Sequence, residues 1–288
     1  MHRHINRLID RQAGWAKPLG EQAQHALGEV FSTRRPLKDL LNGTWFGHPV
    51  HPALTDVPVG AMTVAALFDL TGQDGAADVA VATGLLGMAG AAATGAADAV
   101  DTYGRPQVYA TVHAVCMTAS FGAYATSFLL RLGPSGGRPL AKALAFAGYA
   151  AMTAGSYVGG DLTYRLGNQV DRHAFEAGGT KWKALDVSKV PAGKPVRAKL
   201  GNDALVLYRE ADGAPIQALS ATCAHAGGPL DKGTVVDGCI ECPWHQSRYR
   251  LDDGHVVQGP AVFDQPVYEV RETSEGGLEA RRAAPTAH

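Results

Sequence analysis

Only four cysteines occur in 288 residues. A disulfide-stapled fold would spread paired cysteines along the chain, so this scarcity excludes that scaffold. Charge of one sign is also in short supply, since 26 Lys and Arg oppose 27 Asp and Glu for a formal net charge of -1. Without a basic surplus there is no long-range field to concentrate the protein on nucleic acid, which is therefore not an expected partner. Residues 1–44 lack the continuous apolar run at the centre of a cleavable signal peptide, and no internal repeat is present.

What is there is unevenly distributed. Uncharged runs cover Val79 to Ala97 (19 residues), Pro106 to Leu130 (25) and Ala143 to Gly160 (18). About 20 apolar residues span a bilayer as a helix, so three spans are expected there. A fourth is expected over Pro52 to Leu70, although Asp56 and Asp69 interrupt it. The runs are rich in Ala and Gly, as in "GLLGMAGAAATGAA" from Gly84 to Ala97, which suits close helix packing in lipid. Ahead of them, residues 1–44 carry Arg3, Arg7, Arg11, Lys17, Arg34, Arg35 and Lys38, with Ile5, Leu8 and Ile9 at helical spacing. That pattern predicts a basic amphipathic segment lying on the membrane surface. "TRRPLK" at Thr33 to Lys38 is similar to a twin-arginine export signal, but the residues that follow are too polar for one. Counting Lys and Arg on either side places the termini in the cytoplasm, against Arg131, Arg138 and Lys142 on the other side.

After Asp161 the texture changes to short β-type runs such as "ALVLYRE", "TVVDGCIEC" and "PVYEVRE", separated by Gly, Pro, Asp and Asn. These predict a small antiparallel β domain. The fold class is thus multi-domain, an all-α four-helix transmembrane bundle followed by an all-β domain. The expected divisions are the basic segment 1–44, membrane domain 45–175, linker 176–185, β domain 186–273 and a flexible tail 274–288.

Three of the four cysteines, Cys223, Cys239 and Cys242, fall within twenty residues of this β part, which suggests metal ligation in a reducing compartment. "CAHAGGPL" begins at Cys223 and "CPWHQSRY" at Cys242, so each of two loops carries one thiolate and one imidazole: Cys223 with His225, Cys242 with His245. Two thiolates can hold one iron and two imidazoles another, the ligand set of a Rieske 2Fe-2S cluster. The same residues with Cys239 could instead build a tetrahedral zinc site. As a buried strand residue, Cys239 would take part in neither.

From near Asp186 to Thr273, "ATCAHAGGPLDKG", "ECPWHQSRYRLDDGHVVQGPA" and "QPVYEVRE" resemble the first cluster loop, second loop and closing strand of the Rieske ferredoxin-type domain. The resemblance implies that Cys223 and Cys242 ligate the inner iron, and His225 and His245 an outer iron near the surface, where electrons enter and leave. It also implies that Ser247 and Tyr249 donate hydrogen bonds that raise the cluster's potential to an intermediate value. Rieske proteins of quinol-oxidising complexes pair an extra cysteine in each loop, where this chain has Gly228 and Trp244; it is more similar to the ferredoxin and oxygenase branch.

"GHPVHPALTDVP" at Gly47 to Pro58 and the four-span layout resemble an uncharacterised bacterial four-helix membrane domain marked by a His-Pro-x-His-Pro element. If four helices span, His48, His51, His113 and Asp161 lie toward one face. An ionisable group such as His113 within an apolar run is a functional candidate. The four form a candidate site for haem b or a quinone headgroup, the alternative being that His113 hydrogen-bonds Asp56 or a backbone carbonyl and the Pro-flanked histidines cap a helix. The expected function is a membrane-anchored Rieske electron-transfer protein of the bacterial inner membrane with its cluster domain in the cytoplasm. It would be an oxidoreductase component rather than a stand-alone enzyme. Expected partners are a flavin reductase, a quinone or a respiratory redox protein, besides the lipid bilayer. The alternatives are a Rieske oxygenase component, although only 43 residues follow His245, and a cluster-based redox sensor.

Overall fold

The computed structural model describes residues 2–176 and 179–284. Two compact units emerge, one built from the residues up to Leu37 with Val50–Asn168, the other from Lys38–Pro49 with the chain from Gln169 onward.

The first unit is helical. Among the described residues the N-terminal part holds seven α-helices rather than four: α1 His2–Asp10, α2 Ala13–Thr33, α3 Arg35–Asn42, α4 Val50–Leu70, α5 Asp74–Ala99, α6 Arg105–Arg131 and α7 Arg138–Tyr164. Four of them, α4 to α7, cover the stretches read as spans, and α2, with 21 residues, is as long as α4. Among the described residues, only α4 and α5 combine the length with the apolar character needed to cross a membrane, at mean hydropathies of 1.4 and 1.5. α6 and α7 reach the length, 27 residues each, but carry buried polar groups such as Gln107, Thr111, Ser120 and Ser127 on α6. Two of these hydroxyls donate across to α7, Ser120 Oγ to Gly148 O at 2.8 Å and Ser127 Oγ to Ala141 O at 2.7 Å.

Residues of α1 and of the start of α2 pack within the helical unit. Ile5, Ile9, Ala13 and Ala16 pack against Val108 and Tyr109 of α6 and Val158 and Leu162 of α7. Asp10 joins this contact through Arg105, 2.8 Å away, and the Tyr109 hydroxyl. Of the stripe read from sequence, Ile5 and Ile9 are taken up by protein and Leu8 stays exposed. At the α4–α5 turn, Arg131 is buried and pairs with Asp69 and with Asp78, Lys142 lies 2.8 Å from Asp74, and Arg138 also reaches Asp78. The loop cations counted for orientation are therefore held by carboxylates.

The second unit is all-β apart from α3 residues and short turns. Its strands are β1 Lys183–Ala184, β2 Val196–Leu200, β3 Asp203–Tyr208, β4 Gln217–Ser220, β5 Thr234–Val236, β6 Cys239–Glu241, β7 Arg248–Arg250, β8 Val256–Gln258, β9 Val267–Glu272 and β10 Leu278–Arg282. They form a six-stranded sheet in the order β1-β10-β9-β4-β3-β2 and a four-stranded sheet β5-β6-β7-β8, with antiparallel pairing. Strand alternation builds the core: Leu205 and Leu207 point to one side of β3, into a cluster with Ala198, Ala218, Tyr268 and Ala280. Val206 points to the other, where Leu219, Leu230, Ile240, Tyr249 and Leu251 join it.

Several expected boundaries move. The tail predicted to be flexible contains β10, an interior strand with Leu278 opposite Glu272 and Ala280 opposite Val270; residues 285–288 of that tail lie outside the described residues. The expected linker likewise contains β1, and its residues 177–178 lie outside them too. Lys38–Pro49, assigned from sequence to the helical half, packs with the β unit: Asp39 Oδ1 accepts the Gly259 N–H at 3.0 Å and Thr44 Oγ1 donates to Ala261 O at 3.1 Å.

Candidate metal centre

The two Cys/His loops leave the sheets at neighbouring points. The first runs from β4 to β5 and is pinned at its base by Cys223 N–H to Gly228 O, 2.8 Å, with Gly227 N–H returning to Cys223 O, 2.9 Å. The second joins β6 to β7, with Cys242 N–H to Ser247 O at 2.8 Å and Gln246 N–H to Cys242 O at 3.0 Å. Each loop is thus a tight turn with its cysteine first and its histidine two or three residues on. A β-carbon built on Gly228 would lie 2.6 Å from Cys242 Sγ and 3.2 Å from Trp244, so the loops approach too closely there for any side chain. Gly228 and Trp244 are the positions at which quinol-oxidising relatives were expected to carry paired cysteines, and they face each other across the loops.

All four expected ligands are brought together. Cys223 and Cys242 are each 1% exposed, and the His225 and His245 ring centroids are 5.0 Å apart with planes at 88°. The two thiols share a hydrogen bond. It lowers Cys242 to about 7, helped by the backbone N–H groups of Trp244 and His245, and raises Cys223, which burial raises further. His225 is lowered to about 3, first by burial and then by His245, Lys38 and Arg172. A thiolate-prone sulfur and a neutral imidazole are the forms a metal binds. His225 Nδ1 is moreover buried with no hydrogen-bond partner, a polar atom that metal ligation would satisfy.

Among the described residues, no three His, Cys, Asp or Glu side chains converge on one point as a single ion requires. A binuclear cluster asks for only two protein donors per iron, so this donor set fits 2Fe-2S better than tetrahedral zinc. Cys239 sits in β6 opposite Arg250, apart from the pair.

Tyr249 is fully buried, and its hydroxyl lies 3.1 Å from Cys223 Sγ. Ser247 is fully buried as well; its Oγ accepts the Ala261 N–H at 3.1 Å, which leaves its own proton to be donated. The expectation that both histidines lie near the surface needs correction. His245 is half-buried, but His225 is only 9% exposed. Gln169, Val170, Ala224, Ala261, Val262 and Phe263 pack around it.

Sequence reasoning missed a supporting network. Gln265, 2% exposed, accepts the Ala224 N–H at 3.0 Å and donates to Ser220 O at 3.0 Å and to Thr222 O, bracketing Cys223 on both sides. His173 is 4% exposed and its Nε2 donates to Thr222 O at 2.7 Å; its Nδ1 is 2.9 Å from Glu176 but not aligned as a hydrogen bond. Arg172 N–H donates to Ala224 O at 3.2 Å. No motif marks a lone Gln or a His in "DRHAFE", so nothing in the sequence announced them.

The candidate haem or quinone site is divided. His48 belongs to the β unit, where its Nδ1 lies 3.0 Å from Pro49 O. His51, His113 and Asp161 belong to the helical unit. Asp161 lies 3.3 Å from Arg165, without hydrogen-bond alignment, while His51 and His113 do come together, ring centroids 6.3 Å apart. His113 meets a backbone carbonyl, Gly155 O, at 2.8 Å.

Comparison with known proteins agrees with the β unit. The Rieske [2Fe-2S] domain profile matches residues 180–269. Ferredoxin CarAc of Metapseudomonas resinovorans is 32% identical over 78 residues, 27% of this chain and 70% of that protein. The ferredoxin component of the naphthalene 1,2-dioxygenase/salicylate 5-hydroxylase systems of Ralstonia sp. is 30% identical over 88 residues, 31% of this chain and 83% of that protein. Cholesterol 7-desaturase nvd of Xenopus laevis is 35% identical over 86 residues, 30% of this chain, and the chain spans only 19% of its length. The matched domain implies a 2Fe-2S cluster; nothing in these matches implies haem b. Through its C-terminal unit, the chain belongs to the Rieske [2Fe-2S] family.

Proposed function

We propose that the chain is a membrane-anchored Rieske electron carrier. It passes single electrons from a reductase, such as a flavin reductase, to an oxygenase component, a quinone or a respiratory redox protein at the bacterial inner membrane. The observation that carries the reading is the meeting of Cys223, His225, Cys242 and His245 at two facing loop tips. The named relatives that match along most of their length are ferredoxins, which supports a carrier over a self-contained enzyme.

A bound cluster supplies a one-electron couple. The chain's own residues do the rest. Cys223 and Cys242 hold their sulfurs in the dry interior of the β unit, Tyr249 and Ser247 offer hydroxyl protons there, and Gln265 and His173 fix the backbone of the first loop. With His225 covered, the half-buried His245 beside the exposed Trp244 and Pro243 is the side on which a partner approaches.

Membrane anchoring is supported by α4 and α5, whose apolar windows are only 22% and 28% buried within the protein. Val57, Val64, Leu67, Val79 and Leu86 are exposed along them. Such a face is at home in lipid. A cytoplasmic position for the β unit is consistent with Gly228 and Trp244 standing where quinol-oxidising relatives were expected to carry a disulfide between the loops. Tethering raises the effective concentration of the carrier at membrane partners.

The test is electron delivery in isolated membranes. Full-length protein should fractionate with the membrane and reduce an added acceptor, such as a soluble cytochrome, when supplied with a flavin reductase and reduced nicotinamide. The Cys242→Ser variant should fractionate identically and transfer nothing. Partition into the soluble fraction would contradict the anchoring, and unimpaired transfer by Cys242→Ser the carrier role.

A further inference from the structure

Of the histidines that the cluster does not use, two meet in the helical unit. His51 at the start of α4 and His113 in α6 are 62 positions apart in the chain, yet their ring centroids lie 6.3 Å apart with planes at 89°. His51 Nδ1 lies 2.8 Å from Ala91 O and 3.3 Å from Thr94 Oγ1, and His113 Nδ1 lies 2.8 Å from Gly155 O.

A backbone carbonyl can only accept a hydrogen bond. The proton of each neutral imidazole therefore sits on Nδ1, and Nε2 carries the lone pair. This tautomer, anchored by an outer hydrogen bond to a carbonyl, is the arrangement by which metal-binding histidines are oriented. Space is reserved for both rings: a β-carbon on Gly95 would lie 2.8 Å from His51 Cε1, and one on Gly159 would lie 3.1 Å from His113 Cε1. Two helices, α5 and α7, thus supply both the carbonyls and the clearance.

We propose that His51 and His113 ligate a transition-metal centre within the helical unit through their Nε2 atoms. Metal to nitrogen distances are about 2.0–2.1 Å, so rings bound on opposite sides of one metal have centroids roughly 6 Å apart. Imidazole suits iron, copper, zinc and nickel. No third His, Cys, Asp or Glu joins the pair among the described residues, so the remaining positions go to ligands that arrive with the metal: water on a free ion, or a macrocycle around an iron. His48 and Asp161 take no part. The site rests on helical residues alone and does not depend on the electron-carrier reading.

Full-length protein purified in mild detergent is analysed for metals and by optical spectroscopy, before and after incubation with Zn(II), Fe(II) or haemin. The wild type should hold about one metal equivalent per chain beyond the irons of the cluster. His51→Ala and His113→Ala should each lower its affinity at least tenfold. His225→Ala should lose the cluster and keep this metal, so failure of the Rieske assignment and failure of this one are separable. A Soret band that follows His51 and His113 identifies the iron of a haem, and metal without such a band identifies an ion. Helical circular dichroism at wild-type strength in both variants shows that the helical unit folds; if either falls short, Gly159→Ala, which crowds the His113 ring and removes no donor, should weaken binding in its place. A wild type that takes up none of the three probes, or takes them up equally in the variants, overturns the proposal.

Discussion

The Tyr249 hydroxyl lies 3.1 Å from the Cys223 sulfur, with both side chains sealed from solvent. A hydroxyl donated to a cluster sulfur favours the electron-rich, reduced state. A hydrogen bond to a charged group contributes about 1.5 kcal/mol, which for one electron corresponds to about 60 mV. Tyr249→Phe should lower the midpoint potential by that order, with the cluster still assembled; a titration that finds it unchanged would show that the hydroxyl does not act on the sulfur.

Lys38, 2% exposed, and the exposed Arg172 place positive charge on His225. Neither belongs to the sequence stretch that resembles the Rieske domain. Positive charge stabilises the reduced state, so Lys38→Gln should lower the potential by tens of millivolts, roughly the effect of a unit charge about 10 Å away at an effective dielectric near 20. Because burial limits screening, that shift should persist at high salt, whereas the smaller effect of Arg172→Gln should fade. Potentials measured at low and high ionic strength decide between these behaviours.

Gly228→Ala should abolish cluster assembly while leaving the six-stranded sheet folded, because the added carbon would lie 2.6 Å from Cys242 Sγ. Circular dichroism together with iron content checks this. Iron at wild-type levels in that variant would mean that the loops are free to separate.

Gln265→Ala removes the acceptor of the Ala224 N–H and the donor to Ser220 O in the interior. Leaving buried groups unsatisfied costs about 1–3 kcal/mol each. Thermal unfolding should shift down accordingly, and loss of iron to a chelator should accelerate. Chelation at the wild-type rate would place the stiffness of the first loop elsewhere.

The ligand pairs were legible because chemistry restricts them to Cys and His at short spacing, and the structure brings those same four residues together. The β strands could be read from alternation wherever it was strong, as in "ALVLY". β10 escaped because its buried positions, Leu278 and Ala280, alternate with Glu279 and Arg281 in a run too short and too small-sided to stand out. The helical spacing of Ile5, Leu8 and Ile9 was legible for α1, but the breaks that divide residues 1–44 into α1, α2 and α3 were not, and only the contact with α6 and α7 shows where Ile5 and Ile9 are buried. Lys38–Pro49 could not be assigned from sequence, since its attachment rests on Asp39 and Thr44 meeting backbone more than 200 residues away. Burial of His225 has the same origin, in residues remote along the chain.

The central claim, that two facing loops hold a 2Fe-2S cluster, is tested most directly by low-temperature electron paramagnetic resonance of the dithionite-reduced, anaerobically purified protein, with iron and acid-labile sulfide counted on the same sample. The account predicts a Rieske signal with about two irons and two sulfides per chain, absent in His225→Ala and present in Tyr249→Phe. Zinc in place of iron, or a reduced protein with no such signal, would contradict it.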